Sequence, residues 1–194
     1  MSRTSAFKIL YFGTLFGLAS AILWLTFGYG LGIFGSLMLF LCLLIPGRLL
    51  GYFWRDLLRG LRLLNEERFD ESKKHSERFL FTLEQRPWLK HFIWLGSSTY
   101  SRNPKCLALN NLGAAEIGLG DLSGARTHLL AAIEEDRSCP LPVFNMGALA
   151  LAEGEPEEEV AIWFDRAAAL GYSRGLIDSI IASSQARFAR CECQ

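Results

Sequence analysis

Acidic residues are absent from the first 50 positions of this chain of 194 residues, although the whole sequence carries 20 acidic and 20 basic residues. The same region contains 19 consecutive uncharged residues at positions 9–27, and a further 18 follow at positions 28–45. A helix needs roughly 17 to 25 apolar residues to cross a bilayer core. The missing charge therefore predicts a hairpin of two transmembrane helices within residues 1–50.

Ionisable residues are also absent from both runs, which excludes a proton relay or ion pathway of the usual kind inside them. Small residues instead recur at every fourth position, where they leave a flat strip that another helix can approach closely. These predicted helix-packing residues are Gly13, Gly17, Ala21, Gly28, Gly32 and Ser36. Packing of the two spans against each other is the simpler interpretation, and homodimerisation or docking to a foreign helix is the alternative.

The first uncharged run has one competing interpretation, a secretory signal peptide cleaved after Ala21. The run continues through that point and exceeds the roughly 7 to 15 residues usual for a signal, so we favour a membrane span. Arg3 and Lys8 precede the hairpin, several arginines follow it, and the loop between the spans is uncharged. The positive-inside rule then predicts that both termini are cytoplasmic, and a bacterial inner membrane is the favoured location.

The chain lacks the closely spaced, even-numbered cysteines of a disulfide framework: its five cysteines are odd in number and scattered, so the thiols should be reduced. Cys191 and Cys193 have no nearby histidine or further cysteine to complete a tetrahedral metal site. A frayed, exposed tail is therefore the favoured interpretation of the C-terminus, with a metal or redox role as the alternative.

Catalytic signatures are missing as well, since the chain has no glycine-rich nucleotide loop, no paired histidines at metal spacing and no nucleophile beside a base. We therefore predict that it is not an enzyme and that it binds neither a metal nor a cofactor. Residues 106–194 carry 13 acidic against 6 basic residues, which argues against a nucleic-acid track.

Small side chains mark the segment "NNLGAAEIGLGDLSGARTHLLAAIEEDR", residues 110–137, as two short helices joined near Gly120-Asp121. Two helix axes approach closely only where one of them presents almost no side chain. The segment resembles a tetratricopeptide repeat, because Leu112-Gly113 matches the first helix, Gly120-Asp121 the turn, and Ala125 and Ala132 the second helix. The usual closing proline is replaced by Arg137.

The 34-residue period of that family predicts neighbouring repeats. Gly147 lies 34 residues after Gly113, and Gly154-Glu155 matches the turn. After a one-residue insertion, the second-helix packing positions are Val160, Phe164 and Ala167. A divergent first repeat without the Gly-Asp turn is predicted from Gly60, Phe69, Ser72 and Phe79. We therefore expect an all-α protein: a transmembrane hairpin, a short α-solenoid of such repeats, and a capping helix at residues 175–190.

Beyond the hairpin, the predicted organisation has two parts. Residues 51–105 would hold a juxtamembrane helix, the first repeat and an aromatic-rich insert, and residues 106–194 would hold two repeats and the cap. Insert residues 88–95 either lie at the lipid interface or pack between repeats. Arginines beside aromatic residues predict a membrane interface, or alternatively a solvated face that only sets topology. The predicted interface residues are Arg48, Tyr52, Trp54, Arg55, Arg59 and Arg62.

The resemblance also implies a binding groove along the first helices of the repeats. Its predicted residues are Asn110, Asn111, Ala114, Ile117, Phe144, Asn145, Ala148 and Leu151. The family's carboxylate-clamp positions hold Leu107, Leu141 and Asn145 here, so a C-terminal carboxylate is not the expected ligand. A peptide or an amphipathic helix of another protein fits better.

The expected function is that of a membrane-anchored scaffold or adaptor, which recruits or assembles a partner at the cytoplasmic face, within a larger membrane complex. The alternative is a membrane-embedded immunity or regulatory protein that acts through its transmembrane hairpin.

Overall fold

The computed structural model describes residues 51–89, 101 and 103–177, together with nine helical positions between residues 13 and 37. The chain divides into two compact units, Met1–Trp54 and Arg55–Gln194. Most of the predicted hairpin, including Gly32 and Ser36, lies outside the described residues. Within the part of the chain that is described, no helix combines the length and the apolar character needed to cross a membrane.

In the first unit, four of the predicted helix-packing residues are described. Gly13, Gly17, Ala21 and Gly28 are helical and exposed. A β-carbon placed on any of the three glycines would meet no neighbouring described atom within 4 Å. The packing role of these positions therefore stays a prediction.

Six helices are assigned among the described residues of the second unit: α1 Arg55–Asn65, α2 Phe69–Gln85, α3 Pro104–Leu119, α4 Leu122–Glu135, α5 Pro140–Glu153 and α6 Glu157–Ala169. No strand occurs among the described residues, as the all-α prediction requires. The helices form three successive hairpins, α1–α2, α3–α4 and α5–α6, and each hairpin packs against the next. The first helices also contact one another, α1 with α3 and α3 with α5.

Local sequence signals fix where these helices begin. The Asn103 side chain caps α3 by accepting hydrogen bonds from the backbone N–H groups of Lys105 and Cys106, and Asp121 caps α4 through Gly124 N–H at 3.0 Å. Both α3 and α5 begin with proline, which has no backbone N–H to leave unpaired at the first helical position.

Close helix crossings within the second and third hairpins depend on glycine. A β-carbon on Gly113 would lie 2.7 Å from Leu129 Cγ, and one on Gly147 would lie 2.7 Å from Phe164 Cε1. The glycines are 34 residues apart and their contacts 35 apart, as the predicted one-residue insertion requires. Gly113 and Gly147 thus occupy equivalent places in successive hairpins.

The first hairpin has the same arrangement, but a serine takes the place of an alanine at its crossing. Gly60 and Ser72 lie 53 residues before Gly113 and Ala125. Ser72 Oγ donates a 2.8 Å hydrogen bond to the carbonyl oxygen of Gly60, so a buried serine contacts the first helix where the later hairpin has alanine. The divergent first repeat is therefore a helical hairpin with its glycine at the crossing.

The turn of each hairpin contains one residue in the left-handed region. Gly120 has φ 80° and Gly154 has φ 72°, and the corresponding residue of the first hairpin is Glu67, with φ 58°. All three turns close with the same 2.9 Å backbone hydrogen bond, which in the first hairpin joins Arg68 N to Leu63 O. The absence of a Gly-Asp pair in the sequence therefore did not change the backbone of the turn.

We expect Glu67→Gly to raise the free energy of unfolding by about 1 kcal/mol, because a side chain in the left-handed region is strained and glycine is not. Gly120→Ala is the matched control and should lower it by a similar amount. Chemical denaturation of the two variants beside the parent chain measures both effects. Destabilisation by Glu67→Gly would contradict the assignment of strain to this turn.

The C-terminal cap and the aromatic insert are described only in part. Residues 174–177 are helical, and Ile177 is 5% exposed and joins the core of α4, α5 and α6. The rest of the predicted capping helix, with Cys191 and Cys193, lies outside the described residues. In the insert, Trp88 is half-exposed and Leu89 is buried, and residues 90–100 lie outside the described residues.

Candidate functional site

An amide pair joins two of the first helices at the predicted groove. Asn145 Nδ2 on α5 donates a 2.8 Å hydrogen bond to Asn110 Oδ1 on α3. Asn110 is 4% exposed, whereas Asn145 is half-buried. The pair therefore links successive hairpins, and its Asn145 end is the more accessible to a ligand.

Apolar side chains line the remainder of this surface. Ala114 and Ile117 on α3 are half-buried, as are Ala148 and Leu151 on α5. Ile117 and Leu151 also pack against the core, which holds their exposed parts in place. The groove strip, which we define as Ala114, Ile117, Asn145, Ala148 and Leu151, is thus mostly apolar with one accessible amide.

The two other predicted groove residues are buried. Asn111 is 4% exposed and Phe144 is 7% exposed. The Phe144 ring stacks on Tyr172 with 4.2 Å between centroids and lies 5.5 Å from Phe164. Gly171, at φ 100°, ends α6 in the left-handed conformation directly before Tyr172. Phe144 therefore contributes its ring to the core of the third hairpin.

Three arginines of the predicted membrane interface are exposed on α1, together with two leucines. Arg55, Arg59 and Arg62 are exposed, and Leu58 and Leu61 between them are 57% and 44% exposed. Arg62 also pairs with Glu66 at 2.9 Å. Sequence reasoning named the arginines and missed the leucines, although helical periodicity places Arg55, Leu58, Arg59 and Arg62 on one face.

The three other predicted interface residues have different outcomes: one is exposed, one is buried, and one lies outside the described residues. Tyr52, in the first unit, is 66% exposed. Trp54 is 6% exposed, so the expectation that its ring would be presented at an interface does not hold. Arg48 lies outside the described residues.

A buried carboxylate joins α2, α3 and α4 and was not indicated by the sequence. The Glu116 side chain is 2% exposed; its Oε1 lies 2.9 Å from Lys73 Nζ and its Oε2 lies 2.7 Å from His128 Nδ1. Lys73 Nζ is also 3.8 Å from Asp121 Oδ2. The hydrogen bond to Glu116 raises the pKa of Lys73, so the ammonium is firmly charged at neutral pH.

The corresponding histidine of the first hairpin has a different partner. His75 precedes His128 by the same 53 residues, and its Nδ1 lies 2.8 Å from Asp56 Oδ1. Both histidines contact a carboxylate on a neighbouring helix, which suits a structural role. No group of three or more metal-binding side chains is present in the described ranges.

Arginine also neutralises part of the acidic C-terminal half. Arg126 on α4 binds the carboxylates of both Glu153 and Glu155, the latter at 2.7 Å. These hydrogen bonds raise the pKa of Arg126. The contact joins α4 to the turn after α5, which leaves Glu157, Glu158 and Glu159 as the exposed acidic residues at the start of α6.

No protein family, curated protein or solved structure matches this chain.

Proposed function

We propose that this protein is a membrane-anchored scaffold or adaptor of tetratricopeptide-repeat type, which recruits a partner protein at the cytoplasmic face of a membrane. The observation that carries the proposal is the equivalence of Gly113 and Gly147 in successive hairpins at the 34-residue period. Stacked hairpins of this kind expose a continuous surface along their first helices, which repeat proteins use for binding. The uncharged runs at residues 9–27 and 28–45 supply the anchor.

The chemistry of the groove strip favours one class of ligand. Its aliphatic side chains suit the apolar face of an amphipathic helix, and the accessible Asn145 amide can hydrogen-bond a polar group at the edge of that face. Leu107 and Leu141 stand at the positions where a carboxylate clamp has cations, which disfavours a C-terminal carboxylate. The partner segment is therefore an amphipathic helix or an extended peptide that does not end in the partner's C-terminal carboxylate.

Charge on α1 supports a location at the membrane surface. Each arginine near an anionic bilayer contributes roughly 1 kcal/mol of attraction. Leu58 and Leu61 add exposed apolar surface beside these cations. An amphipathic face of this composition is typical of helices that contact lipid headgroups.

Replacing Ala114 and Ala148 together by arginine should reduce partner recovery by about ten-fold or more, because a charge in an apolar contact must be desolvated without a counterion. Both positions are half-buried, so the long arginine stems can reach solvent without unfolding the hairpins. Recovery is measured by proximity labelling in intact membranes, with labelled proteins quantified against the parent chain.

Ala161→Arg is the matched control, because Ala161 is exposed on α6, outside the groove strip. It should leave both recovery and thermal melting unchanged. Unchanged recovery with the double arginine variant, while its melting matches the parent, would place the binding site elsewhere.

A further inference from the structure

Two cysteines that are far apart in the sequence lie together in the fold. Cys106 is in the first turn of α3 and Cys139 immediately precedes α5, so they stand at the two ends of the second hairpin. Both are free thiols with no exposed surface, and they share an apolar cluster with Leu109 and Ala132. The two thiols interact, since each shifts the pKa of the other.

The surroundings of the two cysteines give their thiols different pKa values. Cys139 occupies the N-cap position of α5, where the partial positive charge of a helix N-terminus favours a thiolate. The interaction with the Cys106 thiol lowers the pKa of Cys139. The same interaction, together with burial, raises the pKa of Cys106. Cys139 is therefore the nucleophile of the pair, and Cys106 holds the proton.

We propose that Cys106 and Cys139 form a reversible disulfide by exchange with a low-molecular-weight disulfide such as oxidised glutathione. The Cys139 thiolate attacks one sulfur of that oxidant, which forms a mixed disulfide and releases one small thiol. Cys106 then loses its proton and attacks the Cys139 sulfur, which forms the internal S–S bond and releases the second small thiol. The two electrons lost by the cysteine pair reduce the oxidant, and the two protons leave on the small thiols.

The bond would close the whole second hairpin into one loop. A cross-link of this length stabilises the fold chiefly by restricting the unfolded chain. Because Cys139 immediately precedes α5 and Cys106 lies in the first turn of α3, the link would also fix the joint between these two helices, which carry the groove strip. Neither thiol is exposed, so exchange requires local opening of residues 136–139.

The test uses the full chain with Cys42, Cys191 and Cys193 replaced by serine, purified in detergent. After incubation with oxidised glutathione, unreduced peptide mapping should reveal one peptide pair linked through Cys106 and Cys139, with two hydrogen atoms fewer than the reduced pair. Dithiothreitol should reverse the link. The oxidised chain should melt roughly 10 °C above the reduced chain.

Single variants test the unequal roles. Cys106→Ser leaves the nucleophile and should trap a glutathione mixed disulfide about ten-fold faster than Cys139→Ser, which leaves the thiol with the raised pKa. A merely structural pair would not produce this difference. The proposal fails if the linked peptide is absent under native conditions or forms only in urea, and equal trapping rates would overturn the assignment of Cys139 as nucleophile.

Discussion

Lys73→Met is expected to lower the free energy of unfolding by about 3 kcal/mol, because it removes a cationic partner from a carboxylate that cannot reach water. The Glu116 side chain is 2% exposed, and His128 Nδ1 would remain as its neighbour at 2.7 Å. Equilibrium denaturation of the variant and the parent chain at neutral pH measures the difference.

Two control variants accompany Lys73→Met, one at an exposed lysine and one at the buried glutamate. Lys74→Met changes an adjacent, exposed lysine and should stay within about 0.5 kcal/mol of the parent. Glu116→Leu removes the buried charge itself and should cost much less than Lys73→Met, since Lys73, 29% exposed, can turn to solvent. Equal costs for Lys73→Met and Glu116→Leu would contradict a desolvated carboxylate as the source of the effect.

The same ion pair gives a pH dependence with a definite sign. The pKa of Lys73 is raised above its ordinary value of 10.5, chiefly by the hydrogen bond to Glu116. The stability it contributes is complete below pH 10.5 and is lost as the pH rises through the raised pKa. Unfolding measured across the alkaline range should therefore show a steeper loss for the parent chain than for Lys73→Met.

The helical hairpins were predictable because the need for glycine at a close crossing is a local and severe constraint. Gly113 and Gly147 mark the helix crossings in the sequence. Their contacts with Leu129 and Phe164 explain why no larger residue occupies these positions. Glu67 was not predictable in the same way. Its left-handed backbone is imposed by the hydrogen bonds of the turn, which tolerate a strained residue at modest cost.

The contacts that cross between hairpins were beyond sequence reasoning. Glutamate is usually a surface residue, so the sequence gives no sign that Glu116 is buried. Only the approach of α2 and α4 makes it a buried ion-pair partner. Cys106 and Cys139 appeared scattered because their proximity depends on the length of a complete hairpin. Phe144 was assigned to the groove from its place in the period, but the turn at Gly171 brings Tyr172 onto its ring.

The α3–α4 and α5–α6 crossings leave no room for a β-carbon on the glycine of the first helix. Gly113→Ala and Gly147→Ala should each lower the free energy of unfolding by about 2 kcal/mol, despite the higher helix propensity of alanine. The new methyl on Gly113 would press on Leu129 at its branched Cγ and lie 3.3 Å from the Ala125 carbonyl oxygen. On Gly147 it would meet the rigid ring of Phe164 at three carbons. Denaturation curves of the two variants measure the cost.

Gly60→Ala is the internal control for this argument, because the first hairpin has the same geometry with a softer contact. A β-carbon there would lie 3.1 Å from Ser76 Oγ, a small hydroxyl that has no hydrogen-bond partner within the described residues and is free to rotate. The propensity gain of alanine, roughly 1 kcal/mol, should then offset the contact and leave stability unchanged or raised. If all three alanine variants were equally tolerated, the glycines would not be required by close helix approach, and the repeat assignment on which partner recruitment depends would lose its physical basis.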